Sequence, residues 1–145
     1  LPVVSARGDQ SVSAGNDTRE TTHWAVHEIS LTPEATSALS SLAGSLGFDA
    51  VRIDLAACGD KASFLGKMAE ALAFPDWFGQ NWDAFLDCLA DLSWRPARGY
   101  VLLLEHADTM RHDAPEALDT AVTILRDVAV AWDERGRPFR AFVAA

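Results

Sequence analysis

Residues 74–94 read FPDWFGQNWDAFLDCLADLSW, and the spacing of their side chains governs how the rest of the chain is read. Trp82, Phe85, Leu86, Leu89 and Leu92 recur at intervals of three and four, the apolar stripe of a helix lying on a core. Asn81 suits the N-cap, and the preceding Trp77, Phe78 and Gly79 are turn chemistry. The outer face carries Asp83, Asp87 and Asp91, with no Lys or Arg anywhere between Asp76 and Trp94. Like charges one helical turn apart destabilise an isolated helix by roughly 0.2–0.5 kcal/mol per pair. Asp83 falls in the first turn, where the helix dipole favours an anion by roughly 0.3–1 kcal/mol; Asp87 and Asp91 gain little of that. Solvated faces ordinarily interleave the two signs. A purely acidic face beside Trp77, Phe78, Trp82 and Trp94 has instead the composition of a binding hot spot.

The flanking sequence alternates strands with helices. In FDAVRIDLAAC, Val51, Ile53 and Leu55 alternate with Arg52 and Asp54, a strand period. Asp60 then caps KASFLGKMAEALAF, where Phe64, Leu65, Met68 and Leu72 form a helical stripe. YVLLLE, from Tyr100 to Glu105, is the continuous apolar run of a strand covered on both faces. A last helix starts near Pro115, with Leu118, Val122, Leu125, Val128, Ala129 and Trp132 on one side, and FRAFVA supplies a final strand. Upstream, Thr32 and Pro33 open a short helix whose stripe is Leu39, Leu42 and Leu46, ending at Gly47; HWAVHEISL before it reads as an edge strand. Such an order implies right-handed parallel crossovers and an α/β architecture. Three segments are expected: a flexible extension over 1–21, a β-α addition over 22–47 and the main domain over 48–145.

Composition bounds the function. The chain has 145 residues, 49% hydrophobic and 23% charged, as in a single globular domain. No apolar run approaches the roughly 20 residues of a membrane span, and LPVVSARGDQ makes a poor signal peptide, so a cytoplasmic protein is expected. The net charge of −9 argues against nucleic acid and for a basic protein or a metal cation as counterpart. Cys58 and Cys88 belong to no CxxC or Cys/His cluster and read as buried hydrophobes in a reducing compartment, one disulfide remaining open. Asp83, Asp87, Glu105, His106, Asp108 and His112 are candidate metal ligands for a hydrolase, yet no HExxH, EF-hand loop or Gly-rich phosphate cradle occurs. Cys88 lies mid-helix, away from the strand-to-helix elbow a nucleophile uses. His23 and His27 read as surface histidines, and Trp24 and Trp132 as core. No cofactor or metal is expected.

The run Pro75, Asp76, Trp77, Phe78, Gly79, Gln80, Asn81, Asp83, Ala84, Phe85 and Asp87 resembles the central loop and helix of barstar, the intracellular inhibitor of the ribonuclease barnase. The order of elements from about Phe48 to Ala145 resembles that family too. The resemblance implies a three-stranded parallel sheet with flanking helices, here with room for one extra N-terminal edge strand. It implies a non-enzymatic ribonuclease inhibitor, acting in toxin immunity against a basic, secreted-type bacterial ribonuclease; the sequence does not give the oligomeric state, and a monomer is the default expectation. By that resemblance Asp87 enters the basic pocket meant for substrate phosphate, Asp83 contacts basic residues beside it, and Trp77 packs on the catalytic histidine. Asp127, in LRD on the long helix, matches an acidic residue that reaches the partner, and Trp94 matches a tryptophan after the acidic helix. The partner-binding set is therefore Trp77, Asn81, Asp83, Asp87, Asp91, Trp94 and Asp127. Leu86 stands where barstar has a tryptophan that touches the enzyme, and Trp77 replaces a tyrosine. These departures leave open a barstar-like module for a basic toxin or regulator that is not a ribonuclease.

Overall fold

The structure, a computed structural model, describes residues 26–29 and 32–144. These form β1 (Val26–Ile29), α1 (Pro33–Ser45), β2 (Asp49–Asp54), α2 (Lys61–Leu72), α3 (Trp82–Asp91), β3 (Tyr100–Glu105), α4 (Asp108–Asp113), α5 (Pro115–Glu134) and β4 (Phe139–Ala144). The expectations for residues 1–21, His23 and Trp24 fall outside the described residues.

All strand pairs are parallel, in the order β1-β4-β3-β2. The fold is thus α/β with a four-stranded sheet, and its fourth strand is the N-terminal edge strand, Val26 pairing with Ala141 beside β4. β2 and β3 run in register from Asp49 opposite Tyr100 to Asp54 opposite Glu105, so each strand end gathers its polar residues at one pole of the sheet.

One face of the sheet carries the main core. Ile53, Leu55, Leu102, Leu104, Phe139 and Val143 meet Phe64, Leu65, Met68, Phe85, Leu89 and Leu125 there. Trp132 is buried in that core and donates its indole N–H to the Leu89 carbonyl at 2.8 Å, which fixes α5 against α3. Cys58 and Cys88 are both buried free thiols.

The opposite face is covered differently from expectation. The leucine stripe of α1 is only partly its buried side: Leu39 is half-buried, but Leu42 and Leu46 are 58% and 54% exposed, while Thr36 and Ala43 are buried. The small side chain of Ala43 lies on Val101 and Leu103 with Leu39 packed beside it, and Leu42 and Leu46 are left along the rim. Thr36 tolerates burial because its hydroxyl donates to the Thr32 carbonyl at 3.1 Å. α4 has no counterpart in the sequence reading. It is six residues long, lacks a side-chain N-cap bond and buries only Met110, too little for a period to register.

Candidate functional site

The site is one loop and one helix. After α2, Ala73 turns the chain through a left-handed φ of 54°, and Phe78 N–H donates to the Pro75 carbonyl at 3.0 Å to close a turn over Pro75–Phe78. Gln80 takes a second left-handed conformation, φ 53°. A non-glycine residue there is strained by about 1–2 kcal/mol, a strain the surrounding contacts must hold. Asn81 holds it from the helix side: its Oδ1 accepts the Ala84 N–H at 2.8 Å and its Nδ2 donates to the Gly79 carbonyl at 3.3 Å. A Cβ at Gly79 would come within 3.2 Å of that Nδ2, so a larger residue there would press on the Asn81 cap.

Beneath the loop lies an aromatic cluster. Phe74 meets Phe78 edge-on at 4.9 Å, Trp94 at 6.1 Å and Phe85 at 6.4 Å between ring centroids. Trp94 is half-buried and donates its indole N–H to the Leu72 carbonyl at 3.0 Å, joining the end of α2 to the chain after α3. Trp82 lies on Phe64 and Phe85, with the Lys61 ammonium 5.6 Å from its ring centroid in a cation–π contact. Of the four aromatics that crowded this stretch, Trp77 is the one left in solvent, 59% exposed. Leu86 is half-buried against the core.

α3 buries Phe85, Cys88 and Leu89 and turns Asp83, Asp87 and Asp91 outward, all exposed. Among the described residues neither Asp83 nor Asp87 makes an ion pair, and Asp91 only accepts a hydrogen bond from Ser93 at 3.2 Å. Their charge is felt inside: burial, then the Asp87 and Asp91 charges, push the Cys88 thiol up to about 11. Elsewhere carboxylates do find cations. Asp49 takes a two-pronged contact from Arg95 at 2.6 and 3.1 Å, Glu105 one from Arg52 at 3.0 and 2.9 Å, and Asp54 lies 2.9 Å from His106. Hydrogen bonding to Asp49 raises the Arg95 pKa; the Ala56 backbone N–H and then His106 lower that of Asp54.

The structure therefore places Trp77, Asn81, Asp83, Asp87 and Asp91 on one continuous loop-helix unit. Asn81 and Trp94 are engaged in building that unit, through the cap and the Leu72 bond. Asp127 lies exposed on α5, the helix packed on α3 through Trp132. The candidate metal ligands are not assembled: Glu105 is held by Arg52, His106 by Asp54 and His112 by Asp113. No three such side chains converge among the described residues. No described helix is long and apolar enough to cross a membrane. Two neighbours of the site carried no sequence signal. Lys61 and Arg135 reach it from distant segments, the latter donating to the Ala90 carbonyl of α3 at 2.7 Å.

One comparison with known proteins bears on this arrangement. The family model described as Barstar (barnase inhibitor) matches residues 48–144, from the residue before β2 to the end of β4; β1 and α1 precede the match. No curated protein sequence matches the chain.

Proposed function

We propose that this chain, which belongs to the barstar family, inhibits a basic ribonuclease by closing its active-site cleft with the outer face of α3 and the Trp77 loop. The observation that carries the reading is the exposed pair Asp83 and Asp87, unmatched by an internal cation among the described residues, on the loop-helix unit that the family motif occupies. Free, these carboxylates repel one another. Against a cationic cleft they are attracted from a distance, which raises the association rate, and each pair strengthens as water leaves. Asp87 enters the site of the substrate phosphate, Asp83 and Asp91 engage cations on either side of it, and Asp127 adds one more from α5. Trp77 supplies a flat apolar surface for the catalytic imidazole. Asn81 and Trp94 hold the loop and helix in the shape that makes these contacts together. The protein acts stoichiometrically, turns nothing over, and protects the cell that makes the nuclease.

The test is titration of a panel of small guanyl-specific ribonucleases with the wild-type chain and with Asp87→Ala. Stoichiometric inhibition by the wild type, weakened strongly in the variant, is the expected result. Equal inhibition by both would remove Asp87 from the site.

One observation favours a second reading, a module of the same shape for a basic protein that is not a ribonuclease. Leu86 is half-buried against the core, so it presents less apolar surface than the tryptophan of the family motif would. Under that reading no ribonuclease in the panel is inhibited, while another basic protein forms a one-to-one complex whose association slows steeply with added salt.

A further inference from the structure

The acidic row changes sign at its C-terminal end. Arg95, Arg98, Arg135 and Arg137, four of the chain's 12 Lys and Arg residues, lie in the two loops that lead into β3 and β4. Those strands are parallel, so both loops sit at one pole of the sheet, the pole at which α3 ends. Arg95 is matched by Asp49. Among the described residues, Arg98, Arg135 and Arg137 have no carboxylate at ion-pair distance.

Two of these arginines border a groove of about 310 Å³, lined by Asp91, Ser93, Pro96, Trp132, Arg135 and Arg137 and floored by Tyr100. It is shaped in advance. Arg135 lies with its guanidinium carbon 4.4 Å from the Trp132 ring centroid and gives one N–H to the Ala90 carbonyl at 2.7 Å, which fixes the plane of a five-donor group. The phenol on the floor is fixed too, donating to the Arg95 carbonyl at 2.7 Å. Asp91, the last member of the acidic row, is also a wall of the groove, so groove and row form one continuous surface.

We infer that this groove receives a carboxylate side chain from the rim of the same ribonuclease whose cleft takes Asp83 and Asp87, with Arg135 and Arg137 as its partners. The inference rests on the inhibitor reading above and deepens it by naming a contact of opposite polarity. A planar guanidinium held on an aromatic ring is suited to two-pronged recognition of a carboxylate, and a small groove admits one side chain rather than an extended strand. Functionally, a row of like charges can slide along a basic cleft by one helical turn with little electrostatic change. A cation at one end of the row removes that freedom and sets the register.

The test uses the sign of the effect. The partner is basic, so removing positive charge from the inhibitor should strengthen binding if only long-range attraction acts. The groove contact requires the reverse. Association and dissociation constants are measured for wild type, Arg137→Glu and Asp87→Ala against an inhibited guanyl-specific ribonuclease at low and high salt, with thermal unfolding of each variant. Arg137→Glu is expected to dissociate about fivefold to tenfold faster with an unchanged melting temperature. The Arg137 side chain makes no hydrogen bond or ion pair among the described residues, and the bond from its backbone N–H to the Trp132 carbonyl survives substitution, so the change leaves the fold intact; Arg135, which also holds α3, is tested as Arg135→Lys and should weaken binding less. Unchanged or tighter binding by Arg137→Glu overturns the groove contact while Asp87→Ala still weakens binding. If Asp87→Ala has no effect, or the wild type binds no ribonuclease, the inhibitor reading itself fails and the groove contact falls with it.

Discussion

Carboxylates have two different fates in this molecule. At the ends of the sheet, Asp49 and Glu105 are gripped by Arg95 and Arg52 in two-pronged contacts, and Asp54 by His106 and a backbone N–H. On α3, Asp83 and Asp87 stand in solvent with no cation at ion-pair distance among the described residues. Cations are not lacking nearby. Arg95 follows α3 by four residues in sequence and turns away to Asp49; Lys61 lies over Trp82, next to Asp83, and rests on the ring. The sheet-end carboxylates are part of how the chain folds; the helix carboxylates are those the proposed function assigns to a partner.

Changing one aspartate in each region should break the comparison cleanly. Asp87→Ala is expected to weaken binding to the partner ribonuclease by about 2–5 kcal/mol, the range for truncating one member of a buried charge pair; barnase–barstar is the type example behind that range, so the figure is carried over from it. Stability should stay within about 0.5 kcal/mol of wild type, because the change relieves like-charge repulsion along α3. Asp49→Ala should do the opposite. It leaves the half-buried Arg95 guanidinium without its partner and should cost about 1–2 kcal/mol of stability, a drop of about 2–8 °C in melting temperature, with affinity near wild type. Urea unfolding beside inhibition titration on the two variants reads both quantities. A stability loss in Asp87→Ala as large as in Asp49→Ala would erase the distinction.

The difference was only half legible in the sequence. α3 itself was readable, because Asn81 caps it and its apolar residues keep a strict helical spacing that the core then uses. The bareness of its outer face was suggested by the missing Lys and Arg nearby, but ion pairing is a tertiary property: Asp49 and Arg95 are 46 residues apart. α1 shows how periodicity misleads when the opposing surface is a flat sheet. Ala43 lies against Val101 and Leu103 with Leu39 packed beside it, whereas Leu42 and Leu46 of the same stripe stand exposed. Trp94 shows a second limit. Its motif position suggested a partner contact; that its ring also meets Phe74 and its N–H the Leu72 carbonyl could not be read there, because only the folded chain brings those groups to it.

Trp94 and Trp77 sharpen the comparison within the site. Trp94→Phe keeps a ring on Phe74 but leaves the Leu72 carbonyl without its donor, and should cost about 1 kcal/mol of stability with a smaller effect on affinity. Trp77→Ala, at the exposed ring, should do the reverse: stability unchanged, affinity reduced. Denaturant midpoints together with dissociation constants for the two variants decide which tryptophan is scaffold and which is contact. The opposite pattern would exchange their roles.

The smallest effect at neutral pH comes from the thiol behind the row. Burial first, then the charges of Asp87 and Asp91, raise the Cys88 pKa from 9.0 to about 11. A thiol whose folded pKa lies above its unfolded value adds stability that is complete below pH 9.0 and is lost as pH rises toward about 11. Nothing should change through the neutral range, and stability should fall across that alkaline window. In a Cys58→Ala background, ultraviolet absorbance of the thiolate, corrected for ionisation of Tyr100 by the separate longer-wavelength tyrosinate band, follows Cys88, and Asp87→Ala should move its titration to lower pH because one source of the upward push is gone. Binding of the partner should act in the same direction, since a cation placed against Asp87 cancels the field that reaches the thiol. A Cys88 titration that ignores both the substitution and the complex would mean that the acidic face is already neutralised in the free protein.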